Sequence, residues 1–254
     1  MIYKRFVANL RAQNWFAISV ELVIVVVGVF LGTMVANWNE EQGKKRETAR
    51  LLQQLRPELE DLLVGYQSII DYYAITRAYG DTAFAAWRGE GDYNDTEFVI
   101  AAFMASQHTY VGYDANAWST IFGNEQLRRV ENPELRAYLI VIMSTKNVSE
   151  QELFTDYRQN VRRIIPEDLQ DMITQECGDR RMDSAQGWVT ISEECTLDLP
   201  DDKTRRAARR LKENPVLADE MRWHFAAIAA YQSDLVLYQR NARRVVDLLK
   251  TELE

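Results

Sequence analysis

The chain has 254 residues, of which 47% are hydrophobic and 27% charged, with 11 Gly and 5 Pro, a balance that excludes a disordered protein and favours an ordered, helix-rich one. The formal charge is -8; residues 1–38 carry Lys4, Arg5 and Arg11 against Glu21, so the remainder holds the whole acidic excess. Such a remainder repels phosphate backbones, which argues against a nucleic-acid partner.

After a short basic stretch, residues 1–14, expected to be cytoplasmic, the segment from Trp15 to Trp38 reads WFAISVELVIVVVGVFLGTMVANW, with Glu21 as its one formal charge. As a helix it places the two tryptophans about 34 Å apart, near the thickness of a hydrocarbon core, so Trp15 and Trp38 are expected at the two membrane interfaces. No small-x-small site follows, so an uncleaved signal anchor is predicted over 15–38; a cleaved signal peptide and a buried core helix are the alternatives. Gly28 and Gly32 form G-x-x-x-G, a pattern that lets helix backbones meet, and Glu21 sits inside the span as an ionisable group. The competing explanations are the frequency of Gly in membrane helices and a carboxylate that reaches toward the headgroups.

Basic residues flank the span on both sides, and Lys44, Lys45, Arg46 and Arg50 outnumber Lys4, Arg5 and Arg11, so charge alone does not fix orientation. Past the polar junction NEEQGKKRE, apolar residues recur at Leu52, Leu55, Leu59, Leu62, Tyr66, Ile69 and Tyr73, alternating three and four. That seam predicts an amphipathic helix, packed in an intrachain bundle or paired with another chain, broken at Gly80 and then Gly89 and Gly91. Asp95 is the expected N-cap of a next helix through Met104. A looser aromatic stretch follows around Tyr110, Tyr113, Trp118 and Phe122.

Asn132 and Pro133 cap a predicted long helix buried through Leu135, Tyr138, Ile142, Phe154, Tyr157, Val161 and Ile164, ended or restarted by Pro166. Residues 177–200 lack a helical stripe, and within them Cys177 and Cys195 are expected to form a disulfide that closes a loop or short hairpin, with WVTIS as a strand. Two unrelated thiols remain the alternative. A disulfide implies an oxidising compartment and so puts the main domain, 39–254, outside the cytoplasm.

The run KTRRAARRLK, Lys203 to Lys212, suits either docking on anionic lipid or an acidic partner, or a solvated helix face paired with Asp201, Asp202 and Glu213, the reading favoured here. Asn214 and Pro215 repeat the cap, and a second seam runs through Leu217, Met221, His224, Ile228, Tyr231, Leu235, Tyr238, Ala242, Val245 and Leu249. Tyr157-Arg-Gln-Asn-Val-Arg-Arg and Tyr238-Gln-Arg-Asn-Ala-Arg-Arg suggest a duplicated unit or convergent capping chemistry.

Glu21 to Gly32 followed by Asn37-Trp-Asn-Glu40 resembles the N-terminus of an uncharacterised family of bacterial single-pass proteins, in which a Glu-led apolar span runs into N-W-N-E. Asn116 to Tyr138 is similar to that family's middle segment. The resemblance implies a bacterial inner-membrane topology and no assigned activity.

Catalytic motifs are scarce. The two histidines, His108 and His224, fit no metal spacing, and adjacent pairs such as Glu40/Glu41, Glu193/Glu194 and Asp201/Asp202 diverge on a helix. No catalytic, cofactor or metal site is expected, and no enzyme. Tyr110, Tyr113, Trp118 and Trp188 fall outside the seams and form a candidate partner surface. The expectation is an all-α protein: a transmembrane helix continuing into an extracytoplasmic antiparallel helical bundle. Its function is that of a membrane-anchored interaction protein, an accessory subunit or homo-oligomer; the alternative is an extracytoplasmic ligand-binding or sensory module.

Overall fold

A computed structural model describes residues 15–110, 126–144, 154–183 and 187–253. Among the described residues there are seven α-helices: α1 (Trp15–Arg88), α2 (Asp95–Met104), α3 (Pro133–Ser144), α4 (Asp156–Ile164), α5 (Glu167–Cys177), α6 (Asp201–Lys212) and α7 (Val216–Leu253). A 3-10 turn at Gln126–Arg129 precedes α3, and a two-stranded antiparallel hairpin, β1 (Arg180–Arg181) and β2 (Val189–Thr190), follows α5.

Helix α1 runs unbroken for 74 residues. Every position of the first predicted seam, Leu52 through Tyr73, is buried, and the three-four register continues through Thr76, Gly80 and Ala83. Gly80 was expected to break the helix, but it sits in the seam instead. A Cβ there would lie 2.2 Å from Cε2 of Phe225, so the missing side chain makes room for a ring from α7. The breaks fall at Gly89 and Gly91, both with positive φ (69° and 80°), a region glycine enters without steric cost. Pro57 lies inside α1 without ending it. Its lost hydrogen bond frees the Gln53 carbonyl, and both residues are on the exposed face, where water supplies a partner.

The second seam is equally well realised: Leu217, Met221, His224, Ile228, Tyr231, Leu235, Ala242, Val245 and Leu249 are buried and Tyr238 is half-buried. Helices α1 and α7 pair in opposite directions, as successive contacts record: Phe225 with Gly80 and Arg77, Gln232 with Ile70, Gln239 with Gln67, Lys250 with Glu60. Two aromatic seams therefore face each other, with Tyr73 edge-on to Tyr231 at 6.1 Å.

Helix α2 is buried along its whole apolar run from Phe98 to Met104. Its cap is Asn94 rather than Asp95: the Asn94 side chain accepts from the Glu97 amide at 2.9 Å while the Glu97 carboxylate accepts from the Asn94 amide at 2.9 Å. The reciprocal pair uses the third helical residue, which puts the cap one position earlier. The long helix expected from Pro133 to Ile164 is interrupted: the described residues hold α3 and α4, with Phe154 and Thr155 outside any helix. Asn132 caps α3 as expected, its side chain accepting from the Glu134 and Leu135 amides, but Thr155 is extended and α4 starts anew after it. The two Tyr-led motifs sit in helices of 9 and 38 residues, α4 and α7.

Candidate functional site

The part of the molecule most unlike a water-soluble domain is the start of α1. Trp15 and Trp38 are 70% and 65% exposed, and the apolar residues between them whose side chains are described are exposed too, except Ile18, which is half-buried. It is the one helix among the described residues long and apolar enough to cross a membrane. Gly28 and Gly32 lie one turn apart on a face where an added Cβ would meet nothing within 4 Å. Glu21, the single charge, is half-buried. So extensive an apolar surface, continuous around the helix, is far beyond what monomeric soluble proteins leave in water.

Downstream the same helix becomes a wall of the folded part. Thr48 donates to the Gln126 side chain at 2.8 Å, Arg129 pairs with Glu41 at 2.7 Å and Lys45 with Glu131 at 2.6 Å. The fold thus grips α1 from three residues beyond Trp38 onward.

Cys177 and Cys195 form the expected disulfide, with Cα atoms 5.5 Å apart. It ties the end of α5 to the chain leaving β2, and the hairpin between them docks on α1. Ser68 donates to the Val189 carbonyl at 2.6 Å and Tyr79 to the Ser192 carbonyl at 3.2 Å. Trp188, expected on a partner surface, is instead buried: its ring lies against Gly65, where a Cβ would be 2.5 Å away. Tyr110 is exposed, beside a recess of about 210 Å³ lined also by Thr109, Arg181 and Gly187. Tyr113 and Trp118 lie outside the described residues.

A buried polar cluster was not foreseen. It gathers where the C-terminal end of α2 meets α4. Arg158 donates to the Ser106 carbonyl at 2.6 Å, and Arg162 donates to the Gln107 side chain at 2.9 Å while its guanidinium stacks 4.4 Å over Phe103. Two cations thus stand beyond the negative end of α2, where Arg158 satisfies the main-chain carbonyl of Ser106 and Arg162 holds the Gln107 side chain. Burial, with the Arg158 charge adding to it, pushes Arg162 down to about 10. Asp179 is raised by burial, against the hydrogen bond it accepts from Tyr72 at 2.8 Å. Tyr72 is raised in turn, chiefly by burial and then by that carboxylate.

Both histidines border this cluster. His224 Nδ1 is 2.7 Å from the Thr155 hydroxyl, and burial holds it near a pKa of about 4. His108, edge-on to Phe154 at 4.6 Å, is lowered to about 4 by burial and then by Arg158. A hydroxyl beside a neutral imidazole has the composition of a nucleophile and base; here Thr155 is 8% exposed and His224 fully buried. His224 is legible in the seam, whereas for Arg158 and Arg162 the available signal is their i, i+4 spacing, each directly after an apolar seam residue, Tyr157 or Val161.

The basic run of Lys203–Lys212 forms α6, with Thr204, Ala207, Ala208 and Leu211 buried. Of the acidic partners expected for it, Asp202 pairs with Arg205 at 3.8 Å; the stronger pairs come from other elements, Lys203 with Asp168 at 2.5 Å and Lys212 with Asp95 at 3.3 Å. An open groove of about 560 Å³ between α6 and the start of α2 is lined by carboxylates, of which Asp95 and Glu97 are already engaged by Lys212 and the Asn94 amide. Among the described residues no three His, Cys, Asp or Glu side chains gather as metal ligands.

Comparison with protein-family models, with curated proteins and with solved structures gives no match.

Proposed function

We propose that the protein is a membrane-anchored, non-enzymatic interaction protein that holds a helical domain at a fixed height above a bilayer, as an accessory subunit of a membrane complex or a homo-oligomer. The observation that carries this reading is the continuity of α1, one helix from an exposed apolar segment into the buried core. In this reading residues 15–38 are an uncleaved signal anchor, with Trp15 and Trp38 at the interfaces, and the rest is an antiparallel helical bundle. The Cys177–Cys195 disulfide supports an oxidising compartment for the bundle. Lys4, Arg5 and Arg11 then remain in the cytoplasm, and the likeness of the anchor and N-W-N-E to a bacterial single-pass family supports an inner membrane with the bundle in the periplasm. The open face at Gly28 and Gly32 supports helix association within the bilayer.

The test has two parts. The protein should stay with membranes through alkaline carbonate extraction. In mild detergent, light scattering should give a dimer or larger assembly that Gly28→Ile with Gly32→Ile dissociates, or affinity isolation from native membranes should return a stoichiometric membrane-protein partner. A strictly monomeric protein that co-isolates nothing refutes the proposal. A ligand-binding or sensory module is the second reading, favoured by the recess beside Tyr110 and the hairpin; a melting temperature unmoved by any component of a periplasmic extract counts against it.

A further inference from the structure

We infer that the membrane-proximal end of the domain carries a binding pocket for the phosphodiester headgroup of an anionic lipid. The inference rests on the reading that residues 15–38 span a bilayer.

The pocket lies between α1 and the turn that leads into α3, encloses about 410 Å³, and is lined by Lys45, Arg128, Arg129 and Arg136 with Glu41 and Glu131. Two of its cations are neutralised in place, Lys45 by Glu131 and Arg129 by Glu41. Those pairs fix the walls. Arg128 and Arg136 form no ion pair among the described residues, so the pocket lining holds four cations against two carboxylates, in a chain whose net charge is -8. A negative domain brought to a negative surface is repelled except where such a patch faces the surface.

Position decides which anion the pocket meets. At a rise of 1.5 Å per residue, Glu41 stands about 5 Å and Lys45 about 10 Å beyond Trp38 along the helix. The polar layer outside the hydrocarbon is about 5–8 Å thick on each side. An interfacial Trp38 therefore sets the pocket within or immediately above the headgroups. The continuity of α1 and the two ion pairs keep it there. Two guanidiniums suit a phosphodiester, whose oxygens accept paired N–H donors. Each unpaired arginine near an anionic surface favours association by about fivefold, so both together give about thirtyfold.

The experiment uses the full-length protein in nanodiscs of phosphatidylcholine, with and without a minority of phosphatidylglycerol. Spin-labelled lipids report motional restriction, and hydrogen exchange reports residues 126–136. Expected are several-fold enrichment of phosphatidylglycerol over phosphatidylcholine at the protein, weakened by salt, with protection of 126–136 that inorganic phosphate in pure phosphatidylcholine discs does not reproduce. R128Q with R136Q should abolish the enrichment while leaving the circular dichroism melt unchanged. Equal restriction of the two lipids overturns the inference, and so does protection by inorganic phosphate without lipid preference. A protein that enters pure phosphatidylcholine discs but shows no selectivity leaves the anchor reading standing; failure to enter any disc removes the anchor and the pocket's role together.

Discussion

Gly80 offers a sharp test of how the two long helices pack. In an exposed helix interior Gly→Ala stabilises by about 1 kcal/mol, because alanine gives up less backbone freedom. At Gly80 the added methyl would sit 2.2 Å from Cε2 and 2.4 Å from Cζ of Phe225, more than 1 Å inside ordinary contact. The ring cannot easily retreat, being 3% exposed and stacked 4.8 Å under the Arg77 guanidinium. Overpacking of this kind costs about 1–3 kcal/mol, so Gly80→Ala should come out destabilising by up to about 2 kcal/mol despite the gain in helix propensity. Phe225→Ala alone should cost about 3–5 kcal/mol through the cavity it leaves. In that background the clash is gone, and Gly80→Ala should turn stabilising by up to about 1 kcal/mol. The sign reversal is the signature, measured as a double-mutant cycle by urea unfolding of the detergent-solubilised protein followed by far-ultraviolet circular dichroism. If Gly80→Ala stabilises the wild type, or if its effect is the same with and without the Phe225 ring, α1 and α7 do not approach as described.

Two further outcomes follow from the core. Replacing Cys177 and Cys195 by serine releases a loop of sequence separation 18, and the chain-entropy relation assigns that closure about 3 kcal/mol; the denaturation midpoint should fall and hydrogen exchange at Val189 and Thr190 should rise, and equal midpoints for the oxidised protein and the double serine variant would contradict it. His224 and His108 should make the fold acid-sensitive: their folded pKa values of about 4 lie below the unfolded value of about 6.5, so the unfolded chain takes up their protons first. Stability is full above pH 6.5, declines as pH falls toward about 4, and His224→Gln should flatten part of that decline in a pH series of thermal melts.

What could be read from the sequence was whatever repeats along one helix. The seams Leu52–Tyr73 and Leu217–Leu249 are buried as their spacing required, Tyr238 alone only in part, because a helical period needs no knowledge of the neighbour. The candidate anchor and the disulfide were legible for similar reasons, one from length and apolarity, the other from two cysteines in one irregular loop. Gly80 was misread because a glycine breaks a helix or admits a neighbour depending on what lies opposite, and Phe225 is far away in sequence. Trp188 looked like a surface aromatic because it lies outside the periodic pattern, yet the hairpin folds it onto Gly65. The polar cluster was invisible on the same ground: Tyr72 and Asp179 are separated by 107 positions, and Arg158 and Ser106 by 52. The pocket of Arg128 and Arg136 is illegible for the same reason: Glu41 and Arg129 are 88 positions apart, and Lys45 and Glu131 are 86.

The segment joining the exposed apolar helix to the core has a consequence for how the molecule would transmit or resist force. Residues 39–50 stay helical, with Lys44 paired to Glu40 one turn away, and they are pinned by Thr48, Lys45 and Glu41 to the turn before α3. Gly43 is the weak point: nothing lies within 4 Å of where its Cβ would be, so a substitution there meets no packing, and the buried seam begins only at Thr48 and Leu51. Gly43→Pro removes the amide that bonds the Asn39 carbonyl and clashes with the preceding turn, a local penalty of about 3 kcal/mol concentrated on the joint. The core should melt at nearly the wild-type midpoint while the distance between spin labels at Leu31 and Glu60, narrow in the parent protein, broadens in pulsed dipolar spectroscopy. A distribution as narrow as the parent's would mean that the contacts to the 3-10 turn, rather than the continuous helix, fix the angle of the domain.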